Sequence, residues 1–110
     1  MSLDIYLTCE HCESHLGEFS YNITHNLNQV ADAVGLYQAL WRPEEIQVSR
    51  AEELVPYLVK GLQDLHKRKK ELKRLEPENG WGSVENLIDF CTNLLKDCLA
   101  NPNARLKVSR

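Results

Sequence analysis

Apolar residues alternate with polar ones near both ends of the chain, a pattern typical of half-buried strands. Three runs show it: residues 3–7, residues 18–23 and residues 105–109. Because successive side chains of a strand point to opposite faces, each run presents one apolar face. The sequence therefore predicts two strands close to the amino terminus and a third at the carboxyl terminus.

Between the second and third runs, apolar residues recur every three or four positions, the period of a helix that is buried on one side. The stripes cover residues 27–34, residues 54–65 and residues 84–98. Gly35 weakens the first helix, and a further turn is expected to end by Trp41, because a residue that precedes a proline is disfavoured in helical geometry.

Helix boundaries can be read from polar residues that satisfy the free amides of a first turn. Asn22 or Thr24 is a candidate cap for the first helix. Ser49 and Glu52 have the spacing of a capping box for the second helix, and Ser83 is placed to cap the third. Pro56 lies inside the second stripe, so we expect it to bend that helix or delay its start.

These elements predict an α+β fold with the order β-β-α-α-α-β. The carboxyl-terminal strand is best placed beside the first hairpin, which gives a three-stranded sheet of antiparallel type covered by helices. A chain of 110 residues is long enough for one modest core, so residues 1–110 are expected to form a single domain.

Composition limits the classes of partner. The formal net charge of −3 argues against a dedicated nucleic-acid binder, which would carry a basic excess. It does not argue against a small anionic ligand, because a local pocket can be positive on an acidic protein. No apolar run approaches the ~20 residues of a membrane span, and no signal-peptide pattern begins the chain. The expected location is the cytoplasm, with no membrane partner.

The first predicted connection holds the chain's one cluster of thiols and imidazoles. Cys9 and Cys12 form a Cys-x-x-Cys pair, and His15 follows three residues later. Zinc favours tetrahedral sites of sulfur and nitrogen ligands, so these three residues are candidate zinc ligands, with His25 as a fourth if the hairpin folds toward the first helix. The alternative is a polar loop with reduced cysteines, since the second half of a usual zinc knuckle is missing.

The junction between the second strand and the first helix is rich in polar side chains. Asn22, Thr24, His25 and Asn26 lie within five residues. An imidazole and two carboxamides at the start of a helix suit recognition of an anion or of the edge of a base. They equally suit helix capping and hydrogen bonding within a packed corner. We treat Asn22, His25 and Asn26 as candidate ligand-binding residues.

Two tryptophans lie beside predicted loops. Trp41 precedes Arg42 and Pro43, and Trp81 stands between two glycines. Aromatic residues at loops serve as interface anchors or lids, and an arginine can bind a carboxylate or phosphate with two parallel hydrogen bonds. The alternative is that both tryptophans close the ends of the core. Trp41, Arg42 and Trp81 complete the candidate ligand-binding set.

Several blocks together resemble a known group of proteins. They are Met-Ser-Leu-Asp at residues 1–4, Tyr-Asn-Ile-Thr-His-Asn-Leu at 21–27, Leu-Trp-Arg-Pro-Glu-Glu at 40–45, Asn-Gly-Trp-Gly at 79–82 and Val-Ser-Arg at 108–110. The chain resembles a family of small uncharacterised phage- and prophage-encoded proteins over nearly its whole length. The resemblance implies no particular activity. It implies a bacterial host cytoplasm, where small phage proteins commonly bind host proteins or sequester small signals.

Three functions follow as hypotheses. The first is a non-enzymatic phage or prophage binding protein that sequesters a small anionic ligand such as a nucleotide signal. The second is an interaction module that inhibits or adapts a host protein, for example in anti-defence. The third is a small enzyme with His25 as general base. No nucleophile–base pair, glycine-rich phosphate loop or His-Glu-x-x-His motif is found, so a binding function is favoured over an enzyme.

Overall fold

A three-stranded antiparallel sheet and a layer of helices make up the fold. The computed structural model describes residues 2–8, 15–24, 27–76 and 83–109. The strands are β1 (Ser2–Thr8), β2 (His15–Thr24) and β3 (Arg105–Ser109). Their order in the sheet is β2-β1-β3, with both pairs antiparallel. The predicted α+β class and the place of the carboxyl-terminal strand beside the hairpin are confirmed.

The helical segments are more numerous than the three that the sequence predicts. The first predicted helix is two helices separated at Gly35, and the second is followed by a short additional helix. Among the described residues the α-helices are α1 (Asn28–Ala33), α2 (Tyr37–Trp41), α3 (Ala51–Lys67), α4 (Lys69–Leu72) and α5 (Val84–Ala100), and 3-10 helices cover Pro43–Ile46 and Lys73–Leu75.

The sheet turns one face to the helices. Leu3, Ile5 and Leu7 of the central strand are all 0% exposed, as alternation predicts. Ile5 pairs with Val108 of β3, and the register between β1 and β2 shifts after Tyr6. Strand β2 begins at His15, three residues before the predicted start at Glu18. The helices cover this apolar face, where α5 packs against both β2 and α3.

Two of the predicted caps are wrong in detail. The N-cap residue of α1 is Leu27, whose side chain makes no capping hydrogen bond, so the N-cap position is neither Asn22 nor Thr24. Before α3, the Glu53 carboxylate accepts hydrogen bonds from the amides of Ser49 at 3.2 Å and Arg50 at 3.1 Å. Arg50 is therefore the N-cap residue, and the acidic partner is one residue later than the predicted Glu52.

The cap of α5 is as predicted, because the Ser83 hydroxyl accepts the Asn86 amide at 3.1 Å. Of the two alternatives predicted for Pro56, a delayed start of α3 is wrong, since the helix already begins at Ala51. Val59 belongs to the predicted apolar stripe but is 40% exposed, whereas Gly61, which the predicted stripe did not include, is buried.

Candidate functional site

The turn between α1 and α2 sets the geometry of a surface pocket. Gly35 has φ +76°, in the left-handed region that favours glycine. The Leu36 amide donates to the Ala31 carbonyl at 2.8 Å, and the Gly35 amide donates to the Asp32 carbonyl at 3.1 Å. This pair of bonds is a Schellman motif, which ends α1 and lets α2 begin at once in a new direction. Asp32 and Tyr37 consequently border the same hollow.

We call this hollow the Tyr37 pocket. It is an open pocket of about 310 Å³, and its described lining residues are Asn28, Gln29, Asp32 and Tyr37. Its volume lies at the lower end of the range for small-molecule sites. Two carboxamides offer both donors and acceptors, and the carboxylate accepts only, so the lining suits a polar ligand that presents several hydrogen-bonding groups.

Tyr37 connects the pocket to two residues of the predicted set. Its ring stacks on Trp41, with centroids 5.8 Å apart and planes 13° from parallel. Its hydroxyl accepts a hydrogen bond from Arg42 Nε at 3.4 Å. This contact is the main cause that raises the pKa of Arg42 above its ordinary value. An aromatic ring, a cation and three polar side chains therefore share one region of the surface.

Arg42 is held loosely by its other described partner. Its Nη1 lies 3.6 Å from Glu45 Oε2, and the two side chains are 43% and 46% exposed. An ion pair this exposed contributes little free energy, because water and salt screen it and ordering two long side chains costs entropy. A phosphate or carboxylate could therefore replace Glu45 at Arg42 with a small loss.

The structure places the predicted ligand-binding residues in different environments. Trp41 is only 3% exposed and belongs to the core, so it supports Tyr37 from below. Asn22 is exposed and donates to Asp4 Oδ1 at 2.6 Å. Since Asp4 alternates with core-facing Leu3 and Ile5, Asn22 lies on the opposite face of the sheet from the core that holds Trp41. The structure brings Trp41 and Arg42 together and leaves Asn22 apart.

The remaining predicted residues fall outside the described part of the chain. This applies to His25, Asn26 and Trp81 of the ligand-binding set and to Cys9 and Cys12 of the zinc set. The backbone of His15 is the first residue of β2, but its side chain is not described. Within the described residues no group of three or more His, Cys, Asp or Glu side chains could hold a metal ion.

Sequence reasoning missed the four residues that line the Tyr37 pocket. A signal was present, because Asn28 and Asp32 are four residues apart on the polar face of α1, and Tyr37 and Trp41 have the same spacing in α2. The sequence does not show that these two faces converge, because their convergence depends on the direction that the chain takes at Gly35.

The two described cysteines carry no chemistry for this site. Cys91 and Cys98 are free and buried on α5. Burial raises the pKa of each thiol to about 12, with Asp97 adding to the effect at Cys98. A thiol of that pKa stays protonated at neutral pH and is a poor nucleophile and metal ligand. Both cysteines therefore act as core residues.

Comparison with known proteins assigns the chain to no family. No protein-family model matches the chain, and no curated protein and no solved structure matches it either. Among the described residues, no helix is both long enough and apolar enough to cross a membrane. The function must therefore be argued from the site itself.

Proposed function

We propose that this chain is a non-enzymatic binding protein that takes a small anionic ligand, such as a nucleotide, in the Tyr37 pocket. One observation carries the proposal: Tyr37 lines the pocket and also accepts a hydrogen bond from Arg42 at 3.4 Å. A planar group and a negative charge can thereby be bound by neighbouring residues.

The pocket lining supports a base rather than a phosphate in the hollow itself. Asparagine and glutamine carboxamides recognise the edge of a base by paired hydrogen bonds, and the Asp32 carboxylate can accept from an amino group or a ribose hydroxyl. The same carboxylate would repel a phosphate. The phosphate is therefore assigned to the Arg42 side, where the guanidinium offers two parallel donors. The Tyr37 ring supplies a surface on which the base can stack.

The resemblance to phage and prophage proteins supports a setting for this activity. A protein made during infection that sequesters a nucleotide signal in the bacterial host cytoplasm needs a pocket and no catalytic group. The polar lining, with an aromatic ring and a nearby arginine, meets that requirement.

Calorimetric titration of the purified protein with a panel of nucleotides and their nucleosides tests the proposal. Arg42→Ala should weaken binding of the nucleotide about tenfold or more while leaving the nucleoside unaffected, because only the nucleotide carries the phosphate. Tyr37→Ala should weaken both ligands, since both need the stacking surface. Arg74→Ala removes the same charge at an exposed position on the 3-10 helix Lys73–Leu75 and serves as the control.

Two results would contradict the proposal. One is the absence of binding heat with every nucleotide of the panel. The other is a nucleotide affinity that Arg42→Ala and Arg74→Ala change equally, because the effect would then come from net charge and not from a contact at the pocket.

A further inference from the structure

Asp32 places an unpaired carboxylate on the wall of the Tyr37 pocket. Its side chain lines the pocket and is exposed. No described residue forms a hydrogen bond or an ion pair with that side chain. Arg68 donates to the carbonyl of the neighbouring Ala33 at 2.9 Å, but the carboxylate that Arg68 contacts is Glu71, at 3.0 Å. Both carboxylate oxygens of Asp32 can therefore accept hydrogen bonds from a ligand.

The local fold does not require a charge at Asp32. This residue lies in the last turn of α1, which contains no basic residue. A negative charge near the carboxyl end of a helix interacts unfavourably with the helix dipole. The Gly35 amide that ends the helix donates to the backbone carbonyl of Asp32, and not to its side chain. A carboxylate at this position is therefore better explained by a ligand than by the stability of the turn.

Tyr37 offers a stacking surface next to this carboxylate. One face of its ring stacks on Trp41, with the two planes 13° from parallel. Because Trp41 is one turn further along α2, the other face of the Tyr37 ring is turned toward the start of α2 and the turn at Gly35. A base stacked on that face would continue the row of parallel rings and would lie beside the end of α1, which carries Asp32.

Arg42 determines which edge of the base meets Asp32. Its described partners are the Tyr37 hydroxyl at 3.4 Å and Glu45 at 3.6 Å, and it forms no ion pair with Asp32. The cation and the free carboxylate are therefore separate parts of one site. In a purine nucleotide the sugar and phosphate are attached on one side of the base, and the Watson–Crick edge lies on the opposite side. A phosphate at Arg42 consequently leaves the Watson–Crick edge for Asp32.

The Watson–Crick edge of guanine is complementary to a carboxylate. It presents two adjacent donors, N1–H and the N2 amino group, and the two oxygens of a carboxylate can accept both in parallel. Adenine and cytosine present one amino donor beside a ring nitrogen that only accepts, and uracil presents one donor between two carbonyls. Two acceptors that face each other leave both groups without a hydrogen bond, which costs free energy.

We propose that the nucleotide bound in the Tyr37 pocket carries guanine, and that Asp32 selects this base by accepting hydrogen bonds from N1–H and the N2 amino group. The carboxamides of Asn28 and Gln29 complete the described lining and can donate to the acceptors O6 and N7 of the same base. This inference rests on the function proposed for the pocket and adds the identity of the base.

Calorimetric titration of the native chain with the 5′-monophosphates of guanosine, inosine and adenosine tests the proposal. The inosine nucleotide differs from the guanosine nucleotide only by the missing N2 amino group, so it isolates one of the two hydrogen bonds. We expect it to bind about tenfold more weakly, the effect of one hydrogen bond to a charged group. The adenosine nucleotide should bind more weakly still, because it loses both hydrogen bonds.

The variant Asp32→Asn replaces one acceptor oxygen with an amide donor of the same size. It should weaken the guanosine nucleotide about tenfold and leave the adenosine nucleotide nearly unchanged. It should also strengthen binding of the xanthosine nucleotide, whose base has a carbonyl in place of the N2 amino group and can accept from the new amide. Asp89→Asn removes the same charge at an exposed position of α5 and is the matched control.

The outcomes separate this inference from the function on which it rests. Equal affinity for the guanosine nucleotide and either of the other two would overturn the choice of guanine, while a loss of affinity in Arg42→Ala would still support nucleotide binding. A preference for guanosine that Asp32→Asn changes no more than Asp89→Asn does would overturn the role of Asp32. Binding of none of the nucleotides would overturn both proposals. Should Asp32→Asn fail to fold, the three nucleotides on the native chain decide.

Discussion

At the scale of single residues, Gly61 shows how closely the helices approach one another. A Cβ atom built on Gly61 would overlap the side chain of Leu36, the residue just before α2. Gly61 lies inside α3, where glycine is unfavourable for a helix by about 1 kcal/mol relative to alanine. Close packing of α3 on the start of α2 is therefore the reason for a glycine at this position.

The first prediction is that the effect of Gly61→Ala on the free energy of unfolding changes sign when Leu36 is replaced by alanine. In the native chain, Gly61→Ala should reduce the free energy of unfolding, because an overpacked core costs about 1–3 kcal/mol and exceeds the gain in helix propensity. In a Leu36→Ala background the overlap is removed, so the same substitution should stabilise the chain by up to about 1 kcal/mol. Urea unfolding of the four proteins in this cycle measures both effects. The same sign in both backgrounds would contradict the packing argument.

At the scale of elements, Glu85 joins the start of α5 to α4 and the 3-10 helix that follows it. Its Oε1 lies 3.3 Å from both Lys69 Nζ and Lys73 Nζ. A hydrogen bond from its own backbone amide, followed by the contacts with Lys73 and Lys69, lowers the pKa of Glu85 from 4.5 to about 2. A negative charge in the first turn of a helix also interacts favourably with the helix dipole.

The second prediction concerns the pH dependence of this contact. Because folding lowers the pKa of Glu85, its charge contributes stability that is present above pH 4.5 and is lost as the pH falls toward 2. Glu85→Gln should therefore lower the Tm at pH 7, and the difference from the native chain should shrink through that range. Circular dichroism melts in a pH series give the result. Asp89→Asn, which removes an exposed carboxylate of the same helix, is the control, and a Glu85→Gln difference that does not vary with pH would refute the assignment.

The third prediction belongs to the connection between β1 and β2. Cys9, Cys12 and His15 stay candidate zinc ligands from their spacing, since their side chains lie outside the described structure. If they bind zinc, the purified chain should contain about one equivalent, and Cys9→Ser with Cys12→Ser should abolish it. The metal content is measured on protein purified without chelators. Less than about a tenth of an equivalent in the native chain would rule out the zinc site, because a structural site is normally filled.

At the scale of the whole molecule, the two ends of the chain meet in the sheet. The central strand β1 lies between β2, its neighbour in sequence, and β3, which comes from the carboxyl terminus. The Ala104 carbonyl also accepts the first amide of α3. The carboxyl-terminal residues therefore complete both the sheet and the start of α3, although they are the farthest in sequence from β1.

The fourth prediction follows from this closure. A chain that ends after residue 103 should lose its cooperative thermal transition, because it exposes the apolar edge of β1 and frees the start of α3. A chain shortened only by residues 109–110 keeps Leu106 and Val108 and is the matched control, with a melt close to that of the native chain. Circular dichroism at increasing temperature compares the native chain with the two shortened chains. A cooperative melt with an unchanged midpoint in the shorter chain would show that β3 is dispensable.

The sequence by itself determined the type of the main elements and most of the residues that each of them buries. Alternation placed Leu3, Ile5 and Leu7 on the core side of β1, and helical spacing placed Leu87, Cys91 and Leu94 on the buried side of α5. These predictions succeed because the period of a strand or a helix is a local property, so the residue pattern alone reveals which face is apolar. Trp41 and Arg42 could also be placed from a local feature, because Pro43 marks where their helix must end.

The tertiary structure alone decided where a surface pocket forms and where helix α3 starts. The Tyr37 pocket exists because the backbone at Gly35 adopts a positive φ and turns α2 back beside α1. The start of α3 is fixed because Glu53, and not the predicted Glu52, accepts the hydrogen bond from the Ser49 amide. Both features depend on one backbone torsion or one choice of hydrogen-bond acceptor, which changes the local direction of the chain while leaving the apolar pattern of the sequence unaltered.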